Sequence, residues 1–255
     1  MKNHFFIAYA GNKREEVNII HDYIKPKLTP SITTIIEPFC GTSALSYYIS
    51  TLYPKKYKYI LNDNNKYLIE LYKICKNNNK INKFIKNVLK LLDKIDKDKY
   101  NEIIKKDTVE AWYIKHKIYC IRSGLFPNDG KEIPMIKSIH KFKECSIIKF
   151  IQNEDIEFKN IDAIDLIEQN NNEYSLIFLD PPYLNSCNTL YKCPTINIYE
   201  YLNKNKIHNM HATIILCLED MWIIRLLFSE NNFSDTYDKQ YQMGKKKTNH
   251  IIITN

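Results

Sequence analysis

The stretch Leu176-Ile177-Phe178-Leu179-Asp180-Pro181-Pro182-Tyr183 joins four apolar residues to an acid, two prolines and an aromatic ring. The apolar run predicts a buried strand that ends at the acid. The prolines fix φ and remove two N–H donors, so neither strand pairing nor a regular helix continues easily there. A carboxylate, rigid carbonyls and a ring therefore lie together at the carboxyl end of a strand, where α/β sheets bind ligands. This combination favours a site for a flat, polar-edged group such as a nucleobase over a plain tight turn.

The composition indicates a globular intracellular protein. The chain has 255 residues, 44% of them hydrophobic, which suffices for one main domain or for one domain with an insertion. The formal net charge of +8 suits a polyanionic partner without demanding one. Seven cysteines without paired spacing, and no secretory signal, predict a reducing compartment such as the cytoplasm, the nucleoid or a viral replication site. No apolar run is long enough to span a membrane, and no His or Cys spacing indicates a metal, so none is assigned.

A second strand–turn segment lies nearer the start of the chain. β-Branched residues from Thr33 predict a strand that ends at Glu37, and Gly41 allows a tight turn after it. The pair Thr42-Ser43 can then cap a helix that runs to about Leu52. Upstream, Lys13 precedes a helix-like stretch, and there it is either solvated or holds a ligand carboxylate.

The next predicted strand, from Tyr57 to Leu61, ends just before Asp63, which lies 22 residues beyond Gly41. Nucleotide sites of this architecture place an acid about 20 residues after the turn, where it binds ribose hydroxyls. Because the full Gly-x-Gly-x-x-Gly pattern is absent, close approach of a pyrophosphate is disfavoured. Asp63 is therefore a candidate ribose ligand, and a helix N-cap is its alternative role.

Four acids end four predicted strands. Besides Glu37, Asp63 and Asp180, the alternating segment from Ile156 ends at Asp162. Because the carboxyl ends of parallel strands meet at one edge of a sheet, we expect these acids to line a single rim. The pattern predicts an α/β fold with a ligand pocket at that rim.

An insertion of about 90 residues, roughly 66–155, separates the first two strands from the others and reads as mainly helical. Its second half interleaves cations with aromatic rings, among them Lys115, Lys117, Tyr119 and Arg122. Such residues neutralise phosphates and stack on bases, and they equally form the outer face of a small helical subdomain.

The motifs, taken in order, resemble those of the DNA adenine methyltransferase (Dam) family, the S-adenosylmethionine-dependent N6-adenine enzymes. Tyr9-Ala10-Gly11-Asn12-Lys13 looks like the family's aromatic-Ala-Gly-Gly-Lys opening, and Glu37-Pro38-Phe39-Cys40-Gly41 resembles its Asp-Pro-Phe-x-Gly. Asn62-Asp63-Asn64-Asn65 resembles its Asn-Asp-x-Asn, and Asp180-Pro181-Pro182-Tyr183 matches its catalytic tetrapeptide without change. The tail, residues 247–255, is also similar to the family's closing strand.

The resemblance implies a Rossmann-like class I methyltransferase sheet. Residues 1–66 and 155–255 would form the catalytic, S-adenosylmethionine-binding domain, and residues 67–154 an inserted, mainly helical target-recognition domain. DNA would be the partner. A restriction endonuclease partner and the oligomeric state are left open.

The resemblance also implies residue roles. The cofactor would contact Tyr9, Lys13, Glu37, Pro38, Phe39, Gly41, Asp63, Asp162 and Asp180. The target base would be held by Asp180, Pro181, Pro182 and Tyr183. Independently of the resemblance, the interleaved cations and rings of the insertion make Lys115, Lys117, Tyr119 and Arg122 the candidate nucleic-acid contacts. Among these, Lys13 would lie near the methionine carboxylate, Asp63 would hold the ribose and Asp162 would face the adenine moiety of the cofactor.

The implied reaction is methyl transfer to the N6 amine of adenine in DNA, with the target base flipped into the Asp-Pro-Pro-Tyr pocket. Transfer to cytosine N4 or to adenine in RNA, and a non-catalytic nucleic-acid-binding subunit, are the alternatives. Two departures from the family stand out. Thr42-Ser43 replaces the end of the family's Gly-x-Gly turn. The family's Asn-Val-Pro-Tyr-Gly motif is not found in this sequence, so the family's usual target sequence is not assumed.

Overall fold

The computed structural model describes residues 5–7, 13–122, 139, 141–153, 155–184, 196–205, 207–234, 236–240 and 247–255. The chain divides into two compact units. One consists of Lys13–Asn64 and Asp155–Asn255, and the other of Met1–Asn12 and Asn65–Glu154. The functions that the resemblance assigns to the two parts of the chain stay predictions.

The sheet unit contains eight described strands and five described α-helices. The strands are β1 (Thr34–Glu37), β2 (Lys58–Asn62), β3 (Ile156–Lys159), β4 (Ser175–Leu179), β5 (Thr213–Glu219), β6 (Asn232–Phe233), β7 (Tyr237–Gln240) and β8 (Lys247–Thr254). The helices are α1 (Val17–Ile24), α2 (Ala44–Leu52), α8 (Ala163–Gln169), α9 (Ile196–Lys204) and α10 (Trp222–Leu227), and short 3₁₀ turns lie at Lys25–Lys27 and Ile207–Asn209.

The helical unit contains α3 (Lys66–Cys75), α4 (Asn78–Leu92), α5 (Lys97–Ile103), α6 (Val109–Arg122) and α7 (Ile147–Ile151), with a 3₁₀ turn at Phe142–Glu144. Its core is aromatic. The ring of Phe142 lies 4.5 Å from Phe6, 5.7 Å from Phe84 and 6.1 Å from Tyr113, between centroids. None of the described helices combines the length and the apolar character that a membrane crossing requires.

The strands form one sheet in the order β3-β2-β1-β4-β5-β8-β6, with β7 also paired to β8. The first five strands pair in parallel, whereas β8 runs antiparallel to β5. The predicted α/β, Rossmann-like sheet is therefore confirmed. The closing strand expected over residues 247–255 is present as β8, which also pairs antiparallel with β7.

Burial explains why the central strands read as continuous apolar runs. Every residue of β4 is buried, as expected for a parallel strand covered on both faces. On one face, Ile177 and Ile214 pack in a core with Leu166 of α8, Leu202 of α9 and Ile224 of α10. The apolar sequence of β4 is thus a consequence of its central position.

The chain reverses direction across the sheet at β1. From β1 it moves outward through β2 and β3, and it then returns to form β4 on the other side of β1. Ile36 is therefore paired with both Ile60 and Ile177. At such a switch point, the connections that leave neighbouring strands diverge and open a crevice beyond their carboxyl ends. In this chain, β1 ends at Glu37 and β4 is followed by Asp180.

Two helix starts differ from the sequence expectation. Asp63 does not cap a helix, because Asn65 is the N-cap of α3 and accepts the N–H groups of Tyr67 and Leu68. Ser43 occupies the N-cap position of α2, yet its side chain makes no capping hydrogen bond. The prediction that a Thr42 or Ser43 side chain caps α2 by a hydrogen bond is therefore wrong for Ser43, although α2 ends at Leu52 as expected.

Candidate active site

The four strand-end acids follow four adjacent parallel strands. In the order of the sheet they are Asp162 after β3, Asp63 after β2, Glu37 at the end of β1 and Asp180 after β4. The expectation that they lie along a single rim is confirmed. Their chemical roles stay predictions.

The turn after β1 is held against the end of β2. Gly41 adopts a positive φ of 45°, and its N–H donates to Asp63 Oδ2 at 3.0 Å. The N–H of Cys40 donates to the carbonyl of Asn62 at 2.8 Å. Asp63 thus fixes the loop that the resemblance assigns to the cofactor.

Asn62 joins three strand ends, a role that the sequence reasoning missed. It is 1% exposed, and its Nδ2 donates to the carbonyls of Pro38 and Ile161 at 3.0 and 3.1 Å. Its Oδ1 accepts the N–H of Ile161 at 2.9 Å. An amide at the end of a buried strand was the available signal, because a buried amide needs partners for all its polar atoms.

Glu37 is buried and binds the start of α2. Its Oε1 accepts the N–H of Ser46 at 2.8 Å, one of the helix N–H groups without an intrahelical partner. Burial raises the pKa of Glu37 to about 7, although hydrogen bonding by Ser46 opposes the shift. This carboxyl group therefore changes its charge near neutral pH.

Asp180 is paired with Lys13. The ammonium Nζ of Lys13 lies 2.6 Å from Asp180 Oδ2 and donates to the hydroxyl of Tyr183 at 2.9 Å. The same hydroxyl donates to Asp180 Oδ1 at 3.2 Å. Because the side chain of Lys13 is only 6% exposed, the interpretation of this residue as a solvated lysine is wrong.

The ion pair perturbs both groups. Burial alone would lower the pKa of Lys13, but the charges of Asp180 and its other acidic neighbours, together with the hydrogen bond to Asp180, outweigh burial and raise that pKa above its ordinary value. Burial raises the pKa of Asp180, and the charge of Lys13 opposes this shift. A lysine in this position remains cationic, and the carboxylate is a stronger proton acceptor than an exposed aspartate.

The two prolines are held from the neighbouring helix. Tyr199 of α9 is buried, and its hydroxyl donates to the carbonyl of Pro182 at 3.2 Å. Pro181 is buried and Pro182 is half-buried. The tetrapeptide is therefore fixed both by its ring geometry and by a hydrogen bond from outside it.

The remaining candidate residues make other contacts or fall outside the described residues. Asp162 is exposed and caps α8, where its Oδ1 accepts the N–H of Ile164 at 2.8 Å. Lys115 is exposed, and Lys117 Nζ lies 5.6 Å from the ring centroid of Tyr113. Tyr9 lies outside the described residues, as do the side chains of Tyr119 and Arg122. Phe39 is half-buried beside the sheet core.

The sequence reasoning also missed Glu16 and His250. Both are buried, and His250 Nδ1 lies 2.8 Å from Glu16 Oε2. The ring of His250 meets that of Tyr183 edge-on at 5.3 Å between centroids. The only signal for His250 was its position before three consecutive isoleucines in the closing strand.

The chain matches a known family over part of its length. The family model for the D12 class N6 adenine-specific DNA methyltransferase matches residues 9–122. This match confirms the resemblance drawn from the motifs, over a little less than half of the chain. Asp180 and the rest of its tetrapeptide lie beyond the matched range. No curated protein matches the chain.

Several solved structures match the chain at low similarity. TrmN from Thermus thermophilus is 8% identical, with a TM-score of 0.38, over 93% of this chain and 48% of its own. Precorrin-6y C5,15-methyltransferase from Geobacter metallireducens GS-15 is 8% identical, with a TM-score of 0.41, over 98% and 92%. The N-terminal domain of human METTL16 in complex with SAH is 7% identical, with a TM-score of 0.38, over 93% and 67%. Likenesses this distant carry no argument about substrate.

Replacing Ser43 by glycine should stabilise the protein. Ser43 has a φ of 53°, a left-handed conformation at the place where the family has glycine. Relief of that strain should raise the free energy of unfolding of Ser43→Gly by about 1 kcal/mol, and the β-branched Ser43→Val should lower it by at least that much. Urea denaturation measures both changes.

Ser46→Gly is the matched control. Ser46 is fully buried in the first turn of α2. Glycine in a helix costs about 1 kcal/mol, so this substitution should have the opposite sign. If both glycine variants destabilise the protein equally, the left-handed residue carries no strain.

Glu37 should make stability fall as the pH rises. Its pKa in the folded protein is about 7, above the value of 4.5 for an unperturbed carboxyl. Between these values the folded state retains a proton that the unfolded state has lost, so each step up in pH favours unfolding. Relative to Glu37→Gln, the wild type should lose roughly 2–3 kcal/mol between pH 4.5 and 8, with little change above that.

Denaturation of both proteins at pH 4.5, 6 and 8 measures this difference. The exposed Glu168→Gln serves as the control and should run parallel to the wild type. A constant difference between the wild type and Glu37→Gln would contradict the perturbed titration.

Proposed function

We propose that this protein transfers a methyl group from S-adenosylmethionine to the N6 amine of adenine in DNA. Methyl transfer is supported by the family match over residues 9–122. The adenine target is suggested by the same family match. The observation that carries the role of Asp180-Pro181-Pro182-Tyr183 is its placement at the switch point of the sheet, directly after β4. The DNA target and the flipped base belong to the proposal.

The residues around the β1 turn fit a nucleoside cofactor. The loop from Gly41 to Ser43 is held by Asp63, whose Oδ2 accepts the N–H of Gly41. This turn lies at the carboxyl end of β1, where parallel sheets bind ligands. In the proposed complex, Asp63 holds the ribose and Lys13 lies near the carboxylate of the methionine. The cofactor supplies an electrophilic methyl group on a sulfonium, which a nucleophile attacks in line.

Asp180 activates and aligns the target amine. An adenine amine is a poor nucleophile, because its lone pair is delocalised into the ring. Hydrogen bonds from this amine to Asp180 and to the Pro181 carbonyl localise the pair and direct it. Alignment of this kind is worth effective molarities on the order of 10⁵ M or more. As the amine is methylated, Asp180 would take the proton that the amine loses, a contribution of about 10²–10⁴-fold.

Lys13 must change partner for the base to bind. In this structure the ammonium group of Lys13 is paired with the Asp180 carboxylate, to which the target amine would donate its hydrogen bond. A ligand carboxylate offers Lys13 an alternative counter-ion, so cofactor binding would free Asp180 for the base. The buried cation then remains paired in both states, which avoids the large cost of an isolated buried charge.

DNA is the proposed partner. The net charge of +8 provides long-range attraction to phosphates, and the exposed Lys115 is one candidate contact. In a duplex the target base must swing out of the stack to reach Asp180, with the ring of Tyr183 against it.

Expression in a host without its own adenine methylation tests the function. Digestion of the host DNA should yield N6-methyladenine, and sequencing with detection of modified bases should place it in one recognition sequence. N4-methylcytosine in DNA, or methylated adenine only in RNA, would move the protein to the corresponding alternative. Cofactor binding without any modified nucleoside would indicate a non-catalytic subunit.

Asp180→Asn should abolish transfer while cofactor binding persists. The amide keeps the shape of the side chain but accepts no proton and places a donor against the amine. We expect kcat to fall at least about 100-fold, with the dissociation constant of the cofactor changed no more than about 10-fold. Transfer of radiolabelled methyl and titration calorimetry measure the two quantities.

Asp165→Asn is the control for this substitution. Asp165 is an exposed acid in the first turn of α8 and should be replaceable without effect on either quantity. Turnover of Asp180→Asn at the wild-type rate would overturn the assignment of Asp180.

A further inference from the structure

A buried polar network lies beside Tyr183, formed by residues outside the resemblance-based site. Glu16 is 3% exposed, His250 0% and Lys239 7%. The Oε1 of Glu16 accepts a hydrogen bond from Lys239 Nζ, and its Oε2 accepts from His250 Nδ1 at 2.8 Å and from the Tyr237 hydroxyl at 3.1 Å. Three donors therefore converge on one buried carboxylate.

The strand register explains why the donors converge. Tyr237 pairs with His250 and Lys239 pairs with Thr248, so these side chains share one face of the β7–β8 ladder. Glu16 immediately precedes α1 and reaches this face from a distant part of the sequence. A single side chain thus ties the start of α1 to two strands near the end of the chain.

Glu16 is ionised at neutral pH. Burial alone would raise its pKa, but the hydrogen bond from His250 and the charges of Lys13 and Lys239 lower it to about 2. The group is therefore a fixed negative charge. Hydrogen bonds to a buried charge are stronger than those between neutral groups, so the donors are held firmly.

The network reaches the reacting residues by two routes. The ring of His250 packs edge-on against Tyr183, with an angle of 86° between the planes. The N–H of Glu16 donates to the carbonyl of Lys13 at 2.9 Å, which fixes the backbone that carries the Lys13 ammonium. Both Lys13 and Tyr183 form hydrogen bonds with Asp180.

A metal ion is a second interpretation of this cluster, and the charges oppose it. Ligand atoms of Glu16, Cys217 and His250 lie within 4.8 Å of one another. Two buried ammonium groups, those of Lys13 and Lys239, lie beside them. Burial raises the pKa of the Cys217 thiol to about 12, so it remains protonated, and Tyr237 shares a hydrogen bond with it at 3.2 Å. The donors already satisfy the carboxylate without a cation.

We propose that Glu16 is a positioning residue, which orients Tyr183 through His250 so that the Tyr183 hydroxyl aligns Asp180 for the target amine, and which fixes the backbone of Lys13. This inference rests on the proposed methyl transfer at Asp180. Glu16 does not touch the reacting atoms, so its loss should reduce the rate of transfer more than the binding of the cofactor.

Two substitutions of Glu16 separate charge from size. Glu16→Gln keeps the length but loses the charge and turns an N–H₂ group towards the donors. Glu16→Asp keeps the charge at a shorter length. We expect kcat to fall about 10–100-fold in Glu16→Gln with KM for the cofactor within about threefold, and to recover to within about fivefold of the wild type in Glu16→Asp. A residue that merely fills space would show the reverse order.

His21→Asn is the matched control for lost stability. His21 is also buried, lies in α1 and bonds the hydroxyl of Tyr53 at 3.2 Å, away from the network. Its replacement should lower the melting temperature but leave kcat unchanged. His250→Asn provides a second test if Glu16→Gln does not fold, because it retains a donor for Glu16 and removes the ring beside Tyr183. We expect its kcat to fall about 10-fold.

The outcomes distinguish the two proposals. An active wild type with unchanged kcat in both Glu16→Gln and His250→Asn overturns the positioning role and leaves the proposed function standing. A loss of kcat in His21→Asn equal to that in Glu16→Gln overturns it as well. A wild type that binds the cofactor but transfers no methyl group overturns the proposed function, and the positioning role with it.

Discussion

The parallel pairing of β1 with both β2 and β4 is the constraint on which the rest of the structure depends. It places the ends of these strands side by side, so that residues far apart in sequence share one rim. The turn at Gly41, the amide of Asn62 and the tetrapeptide after β4 all take their positions from this arrangement. Without it, Glu37 and Asp180 would have no reason to lie near each other.

Two ion pairs are buried near this rim, Lys13 with Asp180 and Lys239 with Glu16. Lys13 and Lys239 bring two cations into the interior, and Asp180 and Glu16 bring two carboxylates. A buried ion pair contributes little net stability, because desolvation offsets the attraction. Removal of one member is costly, however, so the arrangement is specific even where it is not strongly stabilising. In the proposed complex, Lys13 would exchange Asp180 for a ligand carboxylate and remain paired.

Local sequence patterns were sufficient for the sheet and for the position of the site. The apolar run before Asp180 and the β-branched segment before Glu37 predict strands because their side chains must be buried on both faces. The tetrapeptide itself is a local motif, and its place after β4 follows from the strand. These features depend on residues close together in the chain.

Long-range contacts could not be predicted in this way. Glu16 precedes a helix, a position typical of a solvated acid. Its contact with His250 could not be predicted, because the two residues are 234 positions apart and the register of β8 is not visible in the sequence. The pairing of Lys13 with Asp180 was hidden for the same reason, because 167 positions separate the two residues. The left-handed conformation of Ser43 was equally hidden, since serine normally avoids it and only the tertiary position of the turn imposes it. Asp162, in contrast, makes a contact with a residue close in sequence. It caps α8, although the resemblance assigns this acid to the cofactor.

The pairing of Ile36 with Ile177 has a kinetic consequence. These residues are 141 positions apart, and the chain between them contains all five described α-helices of the helical unit. Bringing such distant segments together has a high entropic cost, and parallel strands of high contact order assemble slowly. We expect the helical unit to form from its local contacts early, and the crevice at β1 and β4 to be completed only when the sheet closes. Ligand affinity should therefore emerge in the last phase of refolding, after most of the helical signal has already been regained.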